Sequence, residues 1–127
     1  MLNIEISILC RTEKEADVSD SAMVLEICGD QQIVNPTDSQ IREGLLQLDE
    51  SRNDAFAILA ASDMTYIQVA GDRTVGFLLE YQEGSLKEHY RAADDAIELE
   101  RIVQTFILYR DGNDNWRRGF TFERETM

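Results

Sequence analysis

The chain has 127 residues, 43% apolar and 29% charged, which is enough for one ordinary globular domain and excludes two full-sized ones. Its 25 acidic residues against 12 basic ones leave a net charge of -13, a sign that repels a phosphate backbone and argues against nucleic acid as a partner. No run approaches the ~20 apolar residues that a bilayer-spanning helix needs, so no membrane partner is expected either.

Residues 1–10 alternate apolar and polar, hold no Lys or Arg, and carry Glu5 inside the apolar run. That pattern reads as a strand and not as a signal peptide, which needs a positive start and a continuous apolar centre. Pro36 blocks glycosylation of the triplet Asn35-Pro36-Thr37, and the expectation is a cytoplasmic protein. Cys10 and Cys28 each end an apolar run. Two cysteines so far apart make neither a disulfide framework nor a zinc knuckle, and read as buried thiols, with a single bridge left open.

Residues 11–21 lack apolar periodicity and read as a mobile loop. Residues 22–29 and 31–35 flank Gly29-Asp30 as a hairpin. Pro36 stops that strand, and Thr37-x-x-Gln40 has the capping-box spacing for a helix over 38–49, with Ile41, Leu45 and Leu48 on one face. Gly44 weakens this helix by about 1 kcal/mol, tolerable where another element packs close. Four strand-like runs follow, at 55–61, 64–70, 74–82 and 86–92. Links of two or three residues with turn chemistry separate them, and links so short force antiparallel neighbours. Asp95-x-x-Glu98 marks the start of a helix over 96–110 whose inner face follows Leu99, Ile102, Val103, Phe106, Ile107 and Arg110, stopped by Gly112. Residues 115–124 alternate as a last strand. The expected fold is a single α+β domain over residues 1–127: a mainly antiparallel sheet of five to seven strands, the meander 55–92 at its centre, with two helices packed on one face.

Chemistry is sought in the meander. Strand 86–92 places Lys87, His89 and Arg91 on one face, three cations in a row, with Leu86, Glu88, Tyr90 and Ala92 on the other. Strand 74–82 places Glu80 and Gln82 opposite Phe77, Leu79 and Tyr81. With the apolar face under the helices, Tyr66, Gln68, Glu80, Lys87, His89 and Arg91 share the other face, as a binding surface or as a solvated face of alternating charge. His89 is the single histidine, and beside two cations it makes a poor general base. One histidine without clustered cysteines does not assemble a zinc site, so neither catalytic residue, metal nor cofactor is expected. Asp111-Gly112-Asn113-Asp114-Asn115 opens like a calcium loop, but Trp116 and Phe122 stand where the loop needs Gly and Glu, so a helix-ending turn is the better account. No phosphate-binding, nucleophile-elbow or zinc-protease motif occurs.

A resemblance adds to this reading. Asn35-Pro36-Thr37 before Ile41 and Leu45, Phe56-Ala57-Ile58-Leu59, Thr65 through Gly71, Gly76 through Tyr81, His89-Tyr90-Arg91, Phe106, and Trp116 before Phe120 form a series over residues 35–123. The series resembles small uncharacterised bacterial proteins, some similar to immunity proteins of polymorphic-toxin systems. The resemblance implies a non-catalytic protein-binding module that neutralises a basic toxin, with which a charge of -13 would agree. The alternative is a small-ligand-binding or weakly enzymatic protein using a pocket of Tyr66, Gln68, Glu80 and His89. A homodimer paired through an edge strand remains a third arrangement.

Overall fold

In the computed structural model, which describes residues 22–49 and 55–125, seven strands pair antiparallel in one sheet. They are β1 (Val24–Ile27), β2 (Gln31–Val34), β3 (Phe56–Ser62), β4 (Thr65–Asp72), β5 (Gly76–Glu83), β6 (His89–Ala92) and β7 (Phe122–Arg124). Their order across the sheet is β2-β1-β3-β4-β5-β6-β7, a meander from β3 to β6 as the short links require. Two helices, α1 (Asp38–Leu46) and α2 (Leu99–Arg110), lie on one side. The strand expected over 1–10, the loop over 11–21 and Cys10 fall outside the described residues; Cys28 is buried.

The helix-bearing side is the core. Leu25, Ile27, Ala57, Leu59, Ile67, Val69, Phe77 and Leu79 of the sheet meet Ile41 and Leu45 of α1 and Ile102, Val103 and Phe106 of α2, all essentially without exposure. Each of the larger side chains contributes roughly 1.5–3 kcal/mol by leaving water. Thr37 caps α1 as its spacing predicts: Gln40 N–H donates to Thr37 Oγ1 at 3.1 Å, and Thr37 N–H donates to Gln40 Oε1 at 2.9 Å. Gly44 lets this helix sit against β1, since a Cβ there would lie 2.7 Å from Ile27 Cδ1 and 3.2 Å from Ile27 Cγ1. The helices are tied end to end by polar pairs. Arg42 donates to the Glu100 carboxylate from Nη1 and Nη2, and Arg110 Nη1 lies 2.6 Å from Asp38 Oδ1.

Helix α1, expected over 38–49, ends at Leu46, and three larger departures from the sequence expectation have a tertiary reason. Helix α2 begins at Leu99 and not at 96, because Ile97 is bridged to β5 by Phe77 N–H to Ile97 C=O at 2.9 Å and Ile97 N–H to Phe77 C=O at 3.0 Å. The helix starts only after that bridge, at Glu98, whose side chain makes no capping bond. Gly76 permits the approach: its φ is +94°, and a Cβ would lie 2.7 Å from Ala96 Cα. The expected strand 115–124 is mostly a 3-10 segment, Asp114–Gly119, followed by the three residues of β7. Trp116 anchors it, 3% exposed, edge-on to Tyr81 at 4.9 Å and to Tyr109 at 5.5 Å, and burying an indole takes precedence over extending the strand. Burial among these rings pushes the Tyr109 hydroxyl up to about 12. Residues 86–92 also divide, into a 3-10 turn Leu86–Glu88 and the four-residue β6.

Gly44→Ala tests the close approach. Helix propensity favours it by about 1 kcal/mol, but overpacking against Ile27 costs about 1–3 kcal/mol. Urea denaturation is expected to show net destabilisation. In the Gly44→Ala, Ile27→Val double variant, which lacks the obstructing Cδ1, the loss is expected to be smaller than the sum of the single losses.

Candidate functional site

The side of the sheet away from the helices follows from the register. Val24 pairs Ala60 and Val34, Ala60 pairs Tyr66, Tyr66 pairs Gln82, and Gln82 pairs His89, so these residues form one row. A second row runs Gln32, Glu26, Ile58, Gln68, Glu80, Arg91 and Glu123. The half around β1 and β3 is apolar, with Val24, Phe56, Ile58 and Ala60 half-buried, and the half around β4 to β7 is polar. The polar and charged residues expected on this face therefore occupy one half of it, and the other half is apolar.

Five of the six residues predicted for this face share it. Tyr66, Gln68, Glu80 and His89 form a connected cluster, and Arg91 stands beside them, exposed, opposite Glu80. Lys87 does not join. It lies exposed in the 3-10 turn Leu86–Glu88, off the strand. The expected row of three cations is broken because β5 stays paired with β4 as far as Glu83. Gly84 N–H then donates to the Met64 carbonyl, and the chain turns through Leu86–Glu88 before pairing resumes at His89.

His89 also differs from its expected setting. It is 4% exposed and surrounded by acceptors instead of cations. Its Nδ1 lies 2.9 Å from Gln82 Oε1, and its Nε2 lies 2.8 Å from Glu80 Oε1 and 3.7 Å from Glu125 Oε1. The Gln82 side chain, 2% exposed, is oriented by its own partners. Its Nε2 donates to the Met64 carbonyl at 3.2 Å, and its Oε1 accepts from the Tyr66 hydroxyl at 3.3 Å. A carbonyl only accepts, so the amide nitrogen must face Met64 and the amide oxygen must face the ring. His89 Nδ1 therefore carries a hydrogen. Gln68 Nε2 donates to Glu80 Oε1 at 3.1 Å, and Arg91 Nε lies 3.6 Å from Glu125 Oε2. The Tyr66 ring meets the imidazole edge-on at 6.3 Å. Its hydroxyl is raised above its ordinary range by burial and then by the neighbouring Glu80 charge.

Glu125 is the member that sequence reasoning missed. The last strand was expected to end at 124, yet Thr121, Glu123 and Glu125 continue the alternation, and Glu125 N–H donates to the His89 carbonyl at 2.8 Å. Ligand atoms of Glu80, His89 and Glu125 lie within 4.8 Å of one another. A shallow depression of ≈ 320 Å³ lies elsewhere, where α2 and the 3-10 segment meet, lined among others by Arg101, Thr105, Leu108, Trp116 and Phe120. On the far half of the open face, burial pushes the Glu26 carboxyl above the usual carboxylate range.

Comparison of the chain with protein families, curated proteins and solved structures finds no match. Among the described residues no helix is long and apolar enough to cross a membrane.

Two measurements check these electrostatics. Gln82→Leu strands the His89 Nδ1–H and the Tyr66 hydroxyl, and is expected to cost about 1–3 kcal/mol in chemical denaturation, whereas Tyr66→Phe, which removes one long bond, costs under about 1 kcal/mol. Because the fold penalises charged Glu26, this residue favours folding at low pH, an advantage lost as pH rises through its raised titration. Glu26→Gln is expected to melt higher than wild type at neutral pH, with the difference closing below about pH 4.

Proposed function

We propose that this protein is a non-catalytic binding module that presents the face of its sheet opposite α1 and α2 to a basic protein. The observation that carries the reading is the composition of that face. An apolar half (Val24, Phe56, Ile58, Ala60) adjoins a polar half bearing Glu80, Glu123 and Glu125 against Arg91, with Glu26 at the apolar end. Among the described residues both helices lie on the opposite side. Apolar surface with a polar surround is the usual make-up of a protein interface. The net charge of -13 adds a long-range field that speeds encounter with a cationic partner and is weakened by salt. Neutralisation of a basic toxin by occlusion, as an immunity protein does, is the specific form the sequence resemblance implies.

The test is capture from the source cell and its neighbouring strains with wild-type protein, Glu26→Lys/Glu123→Lys, and Gln104→Lys on the exposed side of α2. A partner of high isoelectric point is expected, its association rate falling at least tenfold between low and physiological salt. The double reversal on the open face is expected to abolish capture while Gln104→Lys leaves it intact. A partner captured equally by all three proteins refutes this face as the interface, and absence of any basic partner refutes the charge argument.

A further inference from the structure

His89 faces more acceptors than its protons can serve. With Nδ1–H committed to Gln82 Oε1 at 2.9 Å, the neutral ring turns a lone pair from Nε2 toward Glu80 Oε1 at 2.8 Å, and two lone pairs do not approach so closely without positive charge between them. A proton on Nε2 would make one hydrogen bond, directed to Glu80. It would leave Glu125 Oε1, 3.7 Å from the same nitrogen, outside hydrogen-bond reach of the ring and within 4.8 Å of the Glu80 oxygen, a like charge. Arg91 lies 3.6 Å from the other oxygen, Oε2, and so neutralises only the far side of that group.

We propose that Glu80, His89 and Glu125 form a binding site for a divalent transition-metal ion, held by His89 Nε2 and one oxygen from each carboxylate. One doubly charged ion satisfies all three donors, which a single proton does not. The spacing is near that of a metal site: metal–ligand lengths of roughly 2.0–2.2 Å place adjacent donors about 3.0–3.5 Å apart. The 2.8 and 3.7 Å found here lie just either side of that range, and all three ligand atoms lie within 4.8 Å of one another, so small side-chain rotations bring them onto one ion. The surrounding residues fit as well. A metal-bound imidazole characteristically donates its other N–H to a fixed acceptor, and Gln82, locked by Met64 and Tyr66, is that acceptor; Gln68 holds Glu80 in the same way. One imidazole with two carboxylates suits zinc, manganese or ferrous iron, and lacks the soft sulfur ligands that copper(I) or an iron–sulfur cluster takes. The ring is buried while both carboxylates are half-buried, so the remaining coordination positions open onto the sheet face, to water or to a partner's side chain. The site stands independently of the partner reading.

The experiment uses the full chain, stripped with a chelator, and titrates zinc chloride by calorimetry and cobalt(II) chloride by its ligand-field absorption. One ion per chain is expected, at micromolar affinity or better. Glu125→Gln, at a half-buried position that leaves the ring contacts intact, is expected to weaken binding at least tenfold. Glu123→Gln, on the same face but outside the cluster, is expected to leave it unchanged, which separates a built site from general acidity. The chain has one histidine, so ¹⁵N spectra report on this ring alone: zinc should shift Nε2 to the metal-bound position and leave Nδ1 protonated. Absence of binding at millimolar zinc, equal affinity in the Glu125 and Glu123 variants, or a ring that stays protonated on both nitrogens under saturating zinc would each overturn the proposal.

Discussion

The pairing of Tyr81 with Tyr90 between β5 and β6 decides which side of the sheet every later residue occupies. It turns both tyrosines and Ala92 toward the helices, and by strict alternation it turns Glu80, Gln82, His89 and Arg91 the other way. A slip of one residue between β5 and β6 would turn His89 and Arg91 toward the core and expose Tyr90 and Ala92. The aromatic cluster opposes any slip. Tyr81 touches Tyr90, Trp116 and Phe122 at 4.8–4.9 Å, contacts that exist in one register only. The Arg117 guanidinium lies 5.0 Å from both Tyr81 and Trp116 and pairs with Glu83, extending the same lock to the end of β5.

The helix layer is asymmetric for reasons equally local. α1 lies against β1 because Gly44 lets its backbone approach Ile27, while α2 cannot begin until the Phe77–Ile97 bridge releases the chain. Both helices are then joined to one another through Arg42–Glu100 and Arg110–Asp38. These are surface pairs of small individual worth, and their effect is to orient helices that the apolar core already holds. With both helices committed to one side, the other side of the sheet keeps its half-buried apolar residues together with its charges.

On that side a buried polar network adjoins half-buried apolar residues. Such a network is costly unless each member has a partner, and here Gln82 supplies the ring with an acceptor, Tyr66 and Met64 fix Gln82, and Gln68 steadies Glu80. The result is a rigid ionic centre beside a flatter apolar area. Long-range attraction comes from the whole acidic chain, and short-range fit comes from this one face. The two act at different stages of an encounter: charge governs the rate of approach, while shape and desolvation govern residence.

Much of this was legible in the order of residues. Two-residue alternation, turns of two or three residues and a Thr37–Gln40 capping box are local, so the meander, α1 and the sidedness of Glu80, Gln82, His89 and Arg91 could be read directly. Three features required the folded chain. The delayed start of α2 depends on a bridge to Phe77, the conversion of residues 114–119 to a 3-10 segment depends on a pocket for Trp116, and the displacement of Lys87 depends on how far β5 stays paired with β4. The environment of His89 belongs with them. Neighbours in sequence placed it between two cations, whereas strand pairing set it among Gln82, Glu80 and Glu125. Periodicity assigns a side chain to a face of its own strand; what it touches there is set by the adjacent strands, which come from distant parts of the chain.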